Sequence, residues 1–146
     1  MMPKVFVSRK EHFNSAHKLF NPTWSKQRNI EVFGPCANDN WHGHNFELIV
    51  TVEGFVNQET GFVIDMKELS VMVQALVIKQ LDHKNLNLDV AFMKDKLASC
   101  ENIVTEIWKI LEEPIAKLSG DVNLYRLILR ETSKNHVEYR GPDSES

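Results

Sequence analysis

The sequence predicts an α+β fold: a four-stranded antiparallel sheet with two helices packed on one face. Three observations carry this. Residues 4–17 and 42–54 alternate apolar and polar side chains with the period of a strand. Segments opening at Asp65 and Ser99 repeat apolar residues at helical spacing. Near the end, 122–131 and 137–139 read as strands joined by a turn.

In the first segment Val5, Val7, Phe13, Ser15 and His17 share one parity, with Ser8, Lys10 and His12 on the other. The pattern suggests a strand that bends or bulges before its end. Residues 18–41, rich in Asn, Pro, Gly, Ser and Asp, read as a long loop, and loops of that length are usually functional or disordered. His42, His44, Phe46, Leu48, Val50 and Val52 then fall on one strand face, and a turn follows at 57–61.

Asp65 is a helix N-cap with Glu68 at the reciprocal position, and Met66, Leu69, Val73 and Leu76 continue the helical face. Residues 81–89 read as a connector. The second helix carries Ile103, Ile107 and Leu111 on one face; Pro114 is expected to end or kink it, and Gly120 closes the region. In the strand 122–131, Tyr125, Leu127, Leu129 and Glu131 share one face. The whole chain, 1–146, reads as one domain with a frayed tail at 141–146. Its exposed sheet edges invite pairing between subunits.

A formal charge of −3 with Lys and Arg scattered singly gives no nucleic-acid stripe and no polybasic membrane patch. No apolar run approaches the ~20 residues that span a bilayer, and the first ten residues lack a signal-peptide core. The expected compartment is therefore the cytoplasm. There, Cys36 and Cys100 are expected to stay unpaired.

The tripeptide His42-Gly43-His44 is the most informative in the chain. A spacing of two along a strand turns both imidazoles to one side, and zinc favours neutral imidazole nitrogens. His17, ending the first strand, is the natural third donor if the two strands pair as an antiparallel hairpin. The same spacing also arises in strand-start turns with solvated histidines. His12 and His136 read as surface residues.

Cys36 sits in a polar loop just before the two histidines, unlike a core cysteine among apolar neighbours. A thiol near a cation carries more thiolate, the form that takes a proton; a chance loop cysteine is the alternative. Cys100 reads as a helix-start residue without chemistry. Asp82-His83 offers either a proton relay or a C-capping histidine. Glu131 ends an apolar strand face, as a buried carboxylate in need of partners or one turned to water.

Phe13-Asn14-Ser15-Ala16-His17, Cys36 and His42-Gly43-His44, Leu81-Asp82-His83-Lys84-Asn85-Leu86, Glu101-Asn102 and Glu131-Thr132 occur in this order over most of the chain. Together they resemble 6-pyruvoyl tetrahydropterin synthase and its close relative, 6-carboxytetrahydropterin synthase. The resemblance implies a tunnelling fold, with sheets from three subunits forming a barrel and two rings stacking into a hexamer. It implies active sites at subunit interfaces, with Asp82 and His83 supplied by a neighbour. It assigns His17, His42 and His44 to Zn2+, Cys36 to the general base, Asp82 and His83 to a proton relay, and Glu131 to anchoring the pterin, with Glu101 near it.

The implied substrate is 7,8-dihydroneopterin triphosphate, converted to 6-pyruvoyl tetrahydropterin by a carbon–oxygen lyase that eliminates triphosphate without nicotinamide or flavin. The implied alternative is the carboxypterin enzyme of the queuosine pathway, a carbon–carbon lyase releasing acetaldehyde. A non-catalytic pterin- or metal-binding module is a further reading. Five residues separate Cys36 from His42, as in the pyruvoyl branch; the gap is shorter in the carboxypterin branch. Trp41, where a small residue is common, departs from the family pattern.

Overall fold

The computed structural model describes residues 2–143. Strand β1 (Lys4–His17) and strand β2 (His42–Phe55) form a long antiparallel hairpin. Their pairing is unbroken from Lys4 opposite Phe55 to His17 opposite His42, so the expected bulge in β1 is absent. The hairpin connection is not simply a loop. Helix α1 (Lys26–Phe33) occupies it, capped by Ser25, whose side chain accepts from the Arg28 amide, and a 3-10 turn at Gly34–Ala37 follows.

Helix α2 (Met66–Val73) starts where expected, with Asp65 Oδ1 accepting from the Lys67 amide at 2.8 Å. It runs through a π-turn (Gln74–Ile78) into α3 (Lys79–Leu81). The stretch expected to be a connector then forms β3 (Lys84–Asn85), parallel to β1 at Ser15–Ala16. Helix α4 (Cys100–Leu118) passes through Pro114. Proline removes one helical hydrogen bond there, but fully buried Ile115 and core-packed Leu118 hold the last turn on the sheet.

Strands β4 (Asn123–Arg130) and β5 (His136–Tyr139) complete the order β3-β1-β2-β4-β5. The sheet thus has five strands, not four, and it is mixed because β3 runs parallel. A register shift between Thr51 and Val52 leaves Tyr125 bulged, and its ring packs on Phe6 with centroids 4.5 Å apart, away from the face of Leu127 and Leu129. A β-bulge reverses side-chain parity, which simple alternation does not anticipate.

The core lies between one sheet face and helices α2 to α4. Phe46, Leu48, Val50 and Val52 of β2 meet Leu69, Val73, Ile103, Ile107 and Leu111 there, all 0% exposed. The opposite face is polar and carries ion pairs such as Lys10 and Arg130 with Glu47. Of the tail expected to fray, Gly141 is buried against Trp108 at a φ of +96°; residues 144–146 lie outside the described residues. No described helix is long and apolar enough to cross a membrane.

Candidate metal centre and adjoining cavity

The hairpin register brings the three histidines together. His17 and His42 are direct partners across the ladder, and Ser15 faces His44, so the imidazoles gather at one end of the core face. Ring centroids lie 4.5 Å apart for His17 and His42, 5.0 Å for His42 and His44, and 5.3 Å for His17 and His44.

Orientation comes from a backbone carbonyl. His17 Nδ1 lies 2.8 Å from Ala98 O, which can only accept, so Nδ1 carries the proton and Nε2 keeps its lone pair. Burial, offset in part by that bond, pushes the His17 pKa down, and burial followed by His44 does the same for His42. Both effects favour the neutral imidazole that binds metals.

The residues fit a cation on evidence of their own. Nε2 of His17 and of His44 are buried without a hydrogen-bond partner, a costly condition for polar atoms. Ligand atoms of His17, His42, His44 and Glu131 all lie within 4.8 Å of one another. Glu131 Oε1 is 2.8 Å from His44 Nε2, close but not aligned as a hydrogen bond, and 3.9 Å from His17 Nε2. Four such donors in reach of one point can bind a metal ion.

Glu131 faces two ways. Its Oε2 accepts from Cys100 Sγ at 3.0 Å, and the carboxylate helps wall a cavity of about 420 Å3 with Glu101, Lys134, Asn135 and His136. Burial, then Glu131 itself, raises the Cys100 pKa far above the ordinary thiol range, so it remains a donor. The two residues linked by resemblance to the pterin therefore share one cavity beside the histidines. The partnership of Cys100 with Glu131 was missed at the sequence level. Only its position opening a helix near the end of β4 hinted at it.

Cys36 is half-buried in the 3-10 turn and stands outside the four-residue group; its carbonyl accepts from the Leu19 amide at 2.7 Å, two residues beyond His17. Both cysteines are free thiols. Asp82 and His83 sit elsewhere, at the β3 edge. Asp82 Oδ1 accepts from the Asn14 amide at 2.8 Å, and this bond chiefly lowers the Asp82 pKa. His83, at a φ of +60°, has its Nδ1 3.0 Å from Asp82 Oδ2 while 83% of its side chain is exposed.

A one-sided α+β sheet carrying three histidines and a carboxylate that could hold a metal ion, beside a polar cavity, defines the class. A family model described as 6-pyruvoyl tetrahydropterin synthase matches residues 6–142. The chain is 37% identical over 140 residues to the 6-pyruvoyl tetrahydrobiopterin synthase of Drosophila melanogaster, covering 96% of this chain and 82% of that one. The solved structure of Caenorhabditis elegans 6-pyruvoyl tetrahydropterin synthase superposes with a TM-score of 0.82 at 33% identity, covering 96% and 97% of the two chains. Over 98 residues, 66% of this chain and 75% of the other, it is 42% identical to a dihydroneopterin monophosphate aldolase from Pyrococcus furiosus. The chain belongs to the 6-pyruvoyl tetrahydropterin synthase family.

Proposed function

We propose that this chain converts 7,8-dihydroneopterin triphosphate to 6-pyruvoyl tetrahydropterin, eliminating triphosphate, with Zn2+ held by His17, His42 and His44. The observation that carries the reading is the convergence of His17 Nε2 and His44 Nε2, both buried without a hydrogen-bond partner and faced by the Glu131 carboxylate, beside a cavity walled by Glu131 and Glu101. Relatives bearing the pyruvoyl name agree with the branch favoured by the spacing of Cys36 and His42.

Zinc, when bound, supplies Lewis-acid polarisation of the substrate's side-chain oxygens. Glu131 and Glu101 accept hydrogen bonds from the nitrogen-rich edge of the pterin ring, and Cys100 steadies Glu131 from behind. Cys36, on the loop returning to His42, takes the side-chain proton. Asp82 orients His83 and holds its charge as the proton moves on. Hydrogen is redistributed within the substrate, so the ring is reduced without an external donor.

The long edge of β1 supports assembly into a barrel and a hexamer. Among the described residues, β3 covers only Ser15 and Ala16 on that side. A neighbour's β5 edge would pair with residues 4–14, and the neighbour would bring Asp82 and His83 to the metal.

Metal content, triphosphate release by phosphorus NMR and product mass test this directly. The expected result is about one zinc per chain and a pyruvoyl product, with Cys36→Ala inactive yet still metal-bound. Zinc-loaded protein that leaves the substrate intact overturns the reading. The aldolase relative favours a second outcome, cleavage of the side-chain carbon–carbon bond. Release of an aldehyde would establish it, acetaldehyde marking the carboxypterin reaction.

A further inference from the structure

The segment from Asp95 to Glu101 touches three places in succession. Asp95, Lys96 and Leu97 line a second cavity of about 480 Å3. The Ala98 carbonyl holds His17 of the metal centre. Cys100 and Glu101 line the cavity that also holds Glu131. Just past the end of β1, Lys18, which lines the second cavity, directly follows His17. The histidine cluster thus lies between two cavities, and only the second brings two lysines to its wall.

We propose that the second cavity, walled by Lys18, Phe20, Thr23, Asn87, Asp95 and Lys96, receives the polyphosphate chain of the substrate, with Lys18 as its recognising cation. This rests on the pterin triphosphate reading above. A substrate with its ring at Glu101 and Glu131 and its side-chain oxygens at the histidines has its phosphates on the far side, where these lysines stand.

Lys18 is built for the role. The Asn87 side chain clamps its backbone at both ends: Oδ1 accepts from the Lys18 amide at 3.0 Å, and Nδ2 donates to the Lys18 carbonyl at 3.0 Å. Nζ lies 4.5 Å from the Trp41 ring centroid and 5.1 Å from that of Phe20. Aromatic faces hold an ammonium without neutralising it. Among the described residues no carboxylate pairs with Lys18, whereas Lys96 Nζ donates to Phe92 O at 3.2 Å and lies 3.7 Å from Glu106. Asp95, the one acid in the wall, leaves it net positive on a chain of net charge −3.

Trp41 gains a purpose here. It holds a φ of +64° immediately before His42, a conformation that bulky residues adopt rarely, and its ring supports the lysine beside the metal centre.

The test uses zinc-loaded full-length protein and inorganic tripolyphosphate as probe, with 7,8-dihydroneopterin, which lacks phosphate, as control. Lys18→Met is expected to weaken tripolyphosphate binding and raise KM for the triphosphate substrate about tenfold, with dihydroneopterin affinity unchanged. Lys18→Arg keeps most of both, and Lys96→Met gives a smaller loss in the same direction. Tripolyphosphate that fails to bind wild type, or binds Lys18→Met equally well, overturns the subsite, as does parallel loss of the phosphate-free pterin. Wild type that binds tripolyphosphate in this lysine-dependent way without turnover sinks the catalytic reading and leaves the subsite standing. Turnover by Lys18→Met at unchanged KM does the reverse.

Discussion

A single carbonyl governs the candidate metal centre at the scale of residues. Ala98 O fixes the tautomer of His17, and metal ligands held this way bind more tightly than free imidazoles. If the folded site binds metal as proposed and the unfolded chain loses it, chelation should lower stability. Saturation one-hundred-fold above Kd is worth about 2.7 kcal/mol, so the thermal midpoint of wild type should fall by several degrees when chelator is added. His17→Ala should start low and not respond to chelator. An equal response in both proteins would mean that the ion sits elsewhere.

Glu11 makes a second residue-scale case. Its carboxylate is 6% exposed; burial alone would raise its pKa, but bonds from Ser70, Arg9 and Gln74 outweigh burial and lower it. A pKa lowered on folding adds stability above the unfolded value, and that contribution is lost as pH falls through the folded one. Glu11→Gln should therefore cost about 1–3 kcal/mol at neutral pH, and the deficit should shrink in urea melts taken below the ordinary carboxylate range. A deficit that stays constant with pH would assign it to packing alone.

The elements differ in how plainly the sequence announced them. β2 was readable because its alternation leaves one register that buries Phe46 to Val52, and β1 was readable as its partner although consecutive Val5, Phe6 and Val7 and polar Arg9 and Glu11 interrupt its pattern. The histidine cluster was readable for the same reason, being the end of that register. Helix α1 was not, since its apolar residues Ile30 and Val32 stay exposed and only Asn29 is buried along it, so no apolar face marks the helix; the Ser25 cap was its one local signal. β3 was unreadable in principle, because two residues have no period and exist as strand only through β1. Glu131 was legible only as a carboxylate that either needs partners or turns to water; it is half-buried, and its approach to His44 depends on how β4 meets β2, a tertiary fact.

Pro114 is the element whose behaviour departs most from local preference. It sits one residue before fully buried Ile115, so tertiary packing imposes a helix that proline resists. Pro114→Ala should restore the missing hydrogen bond and stabilise the protein by up to about 3 kcal/mol, read as a rise in denaturation midpoint with unchanged slope. A loss of stability would indicate that the ring itself fills part of the contact with the sheet.

For the molecule as a whole, the distribution of its chemistry decides what one chain can do. Cys36 and the histidines lie at the hairpin's end, while Asp82 is tied to Asn14, whose side chain points to the opposite face of β1 from Ser15 and His17. His83 faces solvent. Apolar side chains at the other end of the hairpin, Val5, Phe6 and Phe55, are also exposed, as expected of a sheet that continues into a second copy. If the site is completed by a neighbour, Cys36→Ala and His83→Ala lie in different halves of it. Each variant alone should be inactive, yet co-expressed chains should recover about a quarter of wild-type activity, the fraction of interfaces pairing two intact halves at equal mixing. A mixture as inactive as either parent would place the relay within one chain and remove the need for assembly in catalysis. Recovery that is lost together with the oligomer on Phe6→Glu would tie the open sheet to the chemistry.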